Sequence, residues 1–204
     1  MSTEVTALIN SDLYRYFGRT DRSTFVSTFL KIPGFRYSYF LRKTRSNRDR
    51  TGILSKLAFA YYKVLLNHYR FRYGFEIHET TNIGPGLYLG HFGGVVIHPD
   101  AVIGNNVNIA QGVTIGQTSR GRKAGVPVIG ERVWIGANAI VVGAVSIGSD
   151  CLIGPGAYVN FDMPPGAVVI GNPGKIVSYS GSAGYVERTV AQPMANEGQK
   201  GGLA

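Results

Sequence analysis

An aliphatic residue returns at every sixth position through the middle of this chain. Ile77, Ile83 and Leu89 form one run; Ile97, Ile103, Ile109 and Ile115 form a second; Ile129, Ile135, Val141, Ile147, Ile153 and Val159 form a third. Glycine follows many of them, as at Gly84, Gly104, Gly130 and Gly148, and the fourth residue after each is usually small or β-branched, as at Ala101, Val107, Ala139 and Cys151. A period of six fits neither the 3.6-residue turn of an α-helix nor the face-to-face alternation of a half-buried strand. It is the period of a parallel β-helix, in which each hexad supplies one short strand and one corner. The aliphatic fills the interior, the small residue packs in the tight part of the coil, and glycine permits the bend.

Two interruptions break the register. From Leu89 to Ile97 the step is eight residues, and the extra two fall in Gly90-His91-Phe92-Gly93-Gly94. The second break is Gln117–Val128 (QTSRGRKAGVPV), polar, basic and glycine-rich, which is expected to leave the solenoid as a loop. Breaks in a regular scaffold are where function tends to sit.

The rest of the chain is read against this solenoid. The expected organisation is a basic helical domain over 1–72, a β-helix domain over 73–177 that carries the loop at 117–128, and a flexible Ser/Gly/Gln-rich tail over 178–204. Asp21 is positioned to cap a helix over Arg22–Leu30. Ile53–Tyr69 has an apolar stripe at helical spacing, Ile53, Leu54, Leu57, Ala58, Tyr61, Tyr62, Leu65 and Leu66, expected to pack on the open end of the solenoid. Residues 31–72 hold eleven Lys or Arg against the single acid Asp49, a local charge of +10 that exceeds the +9 of the whole chain. Such a patch attracts an anionic partner or serves as a solvated face. One cysteine among 204 residues excludes an internal disulfide framework, and no leader or membrane-spanning stretch is visible. The expected location is cytoplasmic, with peripheral contact at the inner face of the membrane as an option that the basic segment opens. Cys151 sits at a small interior position and reads as core.

The chemistry points to histidine. His68 lies at a helix end, and His78 and His98 hold ordinary corner positions. His91 alone lies in a break. A histidine is the natural general base for a hydroxyl, best oriented by a carboxylate. Glu76 precedes it by fifteen residues, close to one coil. There is no Gly-x-Ser-x-Gly elbow to carry an acyl-enzyme. A zinc site built from His78, His91 and His98 is a rival reading.

The segments GFEIHETTNIGPGLYLGHFGGVVI, NIAQGVTIGQT, VWIGANAIVVGAVSIG and MPPGAVVIGNPGKIV, together about half the chain, resemble in order the signatures of the serine acetyltransferase branch of the hexapeptide acyltransferases. The resemblance implies a left-handed β-helix, a homotrimer and acetyl-coenzyme A as donor, with no metal. It places His91 on the catalytic base and Glu76 on its partner carboxylate, usually aspartate in the family. Thr118, Gly136, Ala137 and Lys175 fall on positions lining the coenzyme groove. Gly90 replaces an aspartate of the serine-specific members, and Gly125 and Val126 replace an Arg-His pair. The C-terminus ends Gly-Leu-Ala, without the isoleucine that docks into the sulfhydrylase partner. These departures make the chain resemble the polysaccharide and sugar O-acetyltransferases of the branch. They lead to an expected acceptor that is a sugar or glycan hydroxyl, acidic or lipid-linked, in capsule or surface-polysaccharide synthesis, with L-serine a poor acceptor and no nucleic-acid partner. Serine acetylation and a non-catalytic basic glycan-binding solenoid are the alternatives.

Overall fold

A computed structural model describes residues 3–191 and 193–194. Four helices come first: α1 (Thr3–Phe17), α2 (Arg22–Lys31), α3 (Pro33–Arg48) and α4 (Ile53–Tyr73). Asp21 caps α2 as its position suggests. Its side chain accepts from the Thr24 hydroxyl at 2.6 Å and from the backbone N–H groups of Ser23 and Thr24 at 3.0 Å each, and these bonds, the Thr24 hydroxyl first, bring its carboxyl down to about 2.

The chain then winds a left-handed parallel β-helix of about five turns. The first coil holds β1 (Phe75–Ile77), β2 (Asn82–Ile83) and β3 (Tyr88–Leu89); the second holds β4 (Val95–Ile97), β5 (Val102–Ile103) and β6 (Asn108–Ile109). The third holds β7 (Thr114–Gly116), β8 (Val128–Ile129) and β9 (Trp134–Ile135), and the fourth β10 (Ile140–Val142), β11 (Ser146–Ile147) and β12 (Leu152–Ile153). β13 (Tyr158–Val159) and β14 (Val168–Ile170) follow, and β15 (Lys175–Ser178) turns back antiparallel to β14. The three walls are β1-β4-β7-β10-β13, β2-β5-β8-β11 and β3-β6-β9-β12-β14-β15. They are called the first, second and third walls below.

The hexad aliphatics stack in register through the coils. Ile77 pairs with Ile97, Ile97 with Ile115, Ile115 with Val141 and Val141 with Val159. All thirteen are buried, as are the small residues between them. Burying a side chain of this size contributes roughly 1.5–3 kcal/mol, so this column is the main source of cohesion. Both breaks are absorbed at corners, and the ladder resumes in register beyond each one.

The first coil has no strand below it, so its backbone groups need other partners. The helices supply them through side chains. The Tyr37 hydroxyl donates to the Ile77 carbonyl at 2.9 Å, Arg45 to Thr81 at 2.6 Å, and Arg42 to Ile83 at 2.7 Å and Gly84 at 2.6 Å. Arg15 donates to the Gly86 carbonyl at 2.8 Å, and Tyr16 to Leu89 at 3.2 Å. Arg42 is itself locked by Asp12, at 3.0 Å with both side chains nearly sealed from solvent (2% and 0% exposed). Asp12 also accepts from the Leu87 N–H at 2.9 Å. α3 can lie this close because Gly34 has no side chain: a Cβ there would stand 2.1 Å from the Leu89 carbonyl oxygen. Much of the basic N-terminal charge is therefore structural.

α4 packs differently from the expected stripe. Its inward face is Tyr62, Leu65, Leu66, Tyr69 and Tyr73, whereas Ile53, Leu54, Leu57 and Tyr61 face solvent. The helix is apolar on two faces, and the aromatic face fits the groove beside Phe40, with Tyr69 stacked on it at 5.1 Å.

Beyond β15 the chain runs along the third wall. Tyr185 packs on Trp134 at 5.0 Å, and buried Asn108 donates to its carbonyl. Buried Asn106 exchanges two hydrogen bonds with the Val190 backbone, and the Met194 N–H reaches Ser11 on α1. Residue 192 and residues 195–204, which include the Gly-Leu-Ala end, lie outside the described residues.

Candidate active site

The corners of the solenoid stack into three ridges. Between the third and first walls lie Gly90–Gly94, Ala110–Val113, Gly136–Ala139 and Gly154–Ala157. Backbone hydrogen bonds join these corners: Gly112 donates to the Gly93 carbonyl, Asn138 to Gln111 and Gly156 to Ala137, each at 2.8–2.9 Å. His91 stands on this ridge, exposed, in the two-residue bulge, where Gly93 (φ 114°) and Gly94 (φ 65°) take backbone conformations that a side chain would resist. Gly136 and Ala137 occupy the same ridge. Glycine at 136 is fixed by packing, since a Cβ would meet the Trp134 ring at 2.8 Å and the Pro155 nitrogen at 2.7 Å.

Glu76 lies on β1, opposite Val96 of β4, and so on the coil adjoining the one that His91 enters. Its carboxylate is 58% exposed and bound at 2.5 Å by Arg70 from the last turn of α4. Arg70 is a partner of Glu76 that the sequence does not single out, although its place in a basic final turn six residues before Glu76 is a visible signal. The pair is largely in solvent, so it is worth under about 1 kcal/mol. Turning Glu76 toward another cation therefore costs little.

His78 and His98 are on a different ridge, between the first and second walls. His78 Nδ1 lies 2.6 Å from the Thr80 hydroxyl, and His98 Nδ1 accepts from the Asp100 N–H at 3.2 Å. Among the described residues no group of three His, Cys, Asp or Glu side chains is arranged to hold a metal ion.

Thr118 also belongs to that second ridge. The chain from Gln117 folds into a hairpin on its own coil before β8 begins at Val128. Thr118 and Gly125 exchange backbone hydrogen bonds at 3.0 and 2.8 Å, and Ala144 donates to the Lys123 carbonyl at 2.8 Å. Lys123 pairs with Asp162 at 2.6 Å and holds its carboxyl below the usual carboxylate range. Exposed Arg120 and Arg122 stand at the tip, and Lys175 is exposed on β15. One chain therefore places His91, Gly136 and Ala137 on one ridge, Glu76 on the first wall beside it with Arg70 as its partner, and Thr118 on another ridge. Cys151 is fully buried, with its thiol 3.1 Å from the Pro164 carbonyl and pushed up by burial, so it is no nucleophile.

A solenoid of stacked hexads with a histidine in a bulged corner points to a class of group-transfer protein, and the comparisons agree. Residues 127–160 match the bacterial transferase hexapeptide model, described as six repeats. A serine acetyltransferase of Helicobacter pylori is 41% identical over 109 residues, 53% of this chain and 64% of the relative. Serine acetyltransferase 2 of Arabidopsis thaliana is 42% identical over 105 residues, 52% of this chain and 32% of the relative. The chain thus spans less than two thirds of the length of these curated relatives. The crystal structure of Neisseria gonorrhoeae serine acetyltransferase in complex with serine superposes with a TM-score of 0.70 at 32% identity, covering 87% of this chain and 70% of that one. The chain belongs to the hexapeptide-repeat acyltransferase family, in its serine acetyltransferase-like branch.

These relatives overturn the sugar or glycan acceptor and the polysaccharide role drawn from Gly90, Gly125 and Val126. The physical reason is that room is not recognition. A sugar ring needs several convergent hydrogen-bond partners, whereas the bulge around His91 offers only Gly90, Phe92, Gly93 and Gly94. Gly125 is moreover part of the hairpin's own packing, since a Cβ there would approach the Ala144 Cβ at 3.0 Å.

Proposed function

We propose that this protein transfers the acetyl group of acetyl-coenzyme A to the hydroxyl of L-serine. The reading is supported by the likeness over 87% of the chain to a serine-bound serine acetyltransferase, combined with a lone histidine at the bulged corner. His91 takes the hydroxyl proton as the oxygen attacks the thioester carbonyl, and it then returns that proton to the departing thiolate. Glu76, released from its weak surface pair with Arg70, orients the imidazole and stabilises its charged form. Arg70 is then free to face the carboxylate of the amino acid. Backbone N–H groups on the glycine ridge hold the oxyanion of the tetrahedral intermediate. The small residues Gly136 and Ala137 leave the ridge open for the donor, and Arg120, Arg122 and Lys175 offer charge to its phosphates.

The site as read needs two ridges, so the working form is a homotrimer in which the Thr118 hairpin of one subunit meets the His91 ridge of the next. The test is thiol release from acetyl-coenzyme A with L-serine as acceptor. Saturable, serine-dependent release with O-acetylserine as the product is expected. Release that ignores serine would overturn the reading.

A further inference from the structure

α4 presents apolar side chains to solvent along its whole length. Ile53, Leu57, Tyr61, Val64 and Phe71 follow one another by three, four or seven residues, so they form one stripe, widened by Leu54. All six are 62–82% exposed. The opposite face is already packed on the core. A helix apolar on two opposite faces is normally covered on both, and an exposed patch of this kind marks an interaction surface.

The charges beside the stripe decide what covers it. Arg48 and Arg50 are exposed just before the helix, Lys56 is exposed within it, and Arg72 is exposed at its end. The one acid among residues 48–72 is Asp49, 3.7 Å from Arg48. Lys63 and Arg70 are not part of this set, because Glu79 and Glu76 hold them. A second copy of α4 laid on the first would bring cations onto cations. A nucleic acid would satisfy the cations but leave the aliphatic residues without a partner. A bilayer with anionic headgroups satisfies both, since the acyl boundary takes the stripe and the headgroups take the cations. At 21 residues the helix is about 30 Å long, and no helix among the described residues is long and apolar enough to cross a membrane.

We propose that α4 lies flat in the surface of an anionic membrane and docks the enzyme there through the Ile53–Phe71 stripe. The docking is independent of the acceptor and of acetyl transfer.

The experiment is co-sedimentation of the full chain with phosphatidylcholine vesicles, with and without about one third phosphatidylserine. Binding is expected with the anionic vesicles, falling about ten-fold as salt rises toward several hundred millimolar. The pair Leu57→Asp and Val64→Asp, both at exposed positions, is expected to lower binding at least about ten-fold. Each of Lys56→Glu and Arg72→Glu is expected to lower it about five-fold or more. Light scattering on the aspartate pair is expected to match the parent. Three results would overturn the proposal: no binding to anionic vesicles at low salt, binding indifferent to the aspartate pair, or an altered oligomeric state in that variant, which would assign the stripe to a contact between copies. Retention on duplex DNA without vesicle binding would reassign the patch to nucleic acid.

Discussion

His91 is distinguished by position rather than by any neighbour that it touches. It occupies the one corner of its ridge where two residues have been added, and the glycines after it turn the backbone outward. His91→Ala is expected to lower turnover by about two to four orders of magnitude while leaving acetyl-coenzyme A binding nearly unchanged. Glu76→Gln should cost less, since it disturbs orientation and charge and leaves the base in place. Steady-state kinetics combined with equilibrium coenzyme binding separates these effects; a His91→Ala enzyme at full speed beside a dead His78→Ala would sink the assignment. Cys151 gives the opposite expectation. Cys151→Ala should retain activity with at most a modest loss of stability, because a sealed thiol whose ionisation is opposed by burial has no part in the reaction. Inactivation that tracks alkylation of Cys151 in the native protein would contradict this. The positions of both residues follow from hexad counting alone. The Arg70–Glu76 pair is only hinted at by the basic last turn of α4, because whether the two meet depends on the angle at which α4 enters the first coil.

At the scale of elements, the strands were written in the sequence and the helix packing was not. A six-residue period fixes which side chain faces inward, and every aliphatic in the series is buried as the period requires. The helices obey a weaker code. α4 carries apolar residues on both faces, so periodicity finds the helix and cannot choose its inner side. The closure of the first coil was equally hidden. Tyr37, Arg42, Arg45, Arg15 and Tyr16 are scattered over two helices and converge only in space. The Asp12–Arg42 pair is the centre of that closure. Asp12→Ala would leave a buried guanidinium without its counter-charge and the Leu87 N–H without an acceptor. A loss of about 3–5 kcal/mol is expected, read as a lower midpoint in urea unfolding monitored by far-ultraviolet circular dichroism. A variant as stable as the parent would show that the helices and the solenoid are not joined through this pair.

At the scale of the whole molecule, the proposed site is divided within a single chain. His91, Gly136 and Ala137 share one ridge, and the Thr118 hairpin is pinned to another by its own backbone pairing and by Lys123 and Asp162. A triangular solenoid keeps its ridges apart by construction, so no loop adjustment within the chain unites them. In the proposed trimer, cyclic assembly would do so at every junction, with the hairpin ridge of one copy against the histidine ridge of the next. This arrangement makes a prediction that separates it from a self-sufficient monomer. A chain with His91→Ala and a chain whose 118–125 hairpin is cut back should each be inactive. Co-expressed in equal amounts, they assemble at random. One junction in four then pairs an intact histidine ridge with an intact hairpin, so about a quarter of the parental activity should return. Recovery near that fraction, with light scattering at three chain masses, would establish that the site belongs to the assembly. Mixed trimers that remain inactive would place the whole site, hairpin included, within one chain, and a hairpin-cut chain that is active by itself would remove Thr118 from the site.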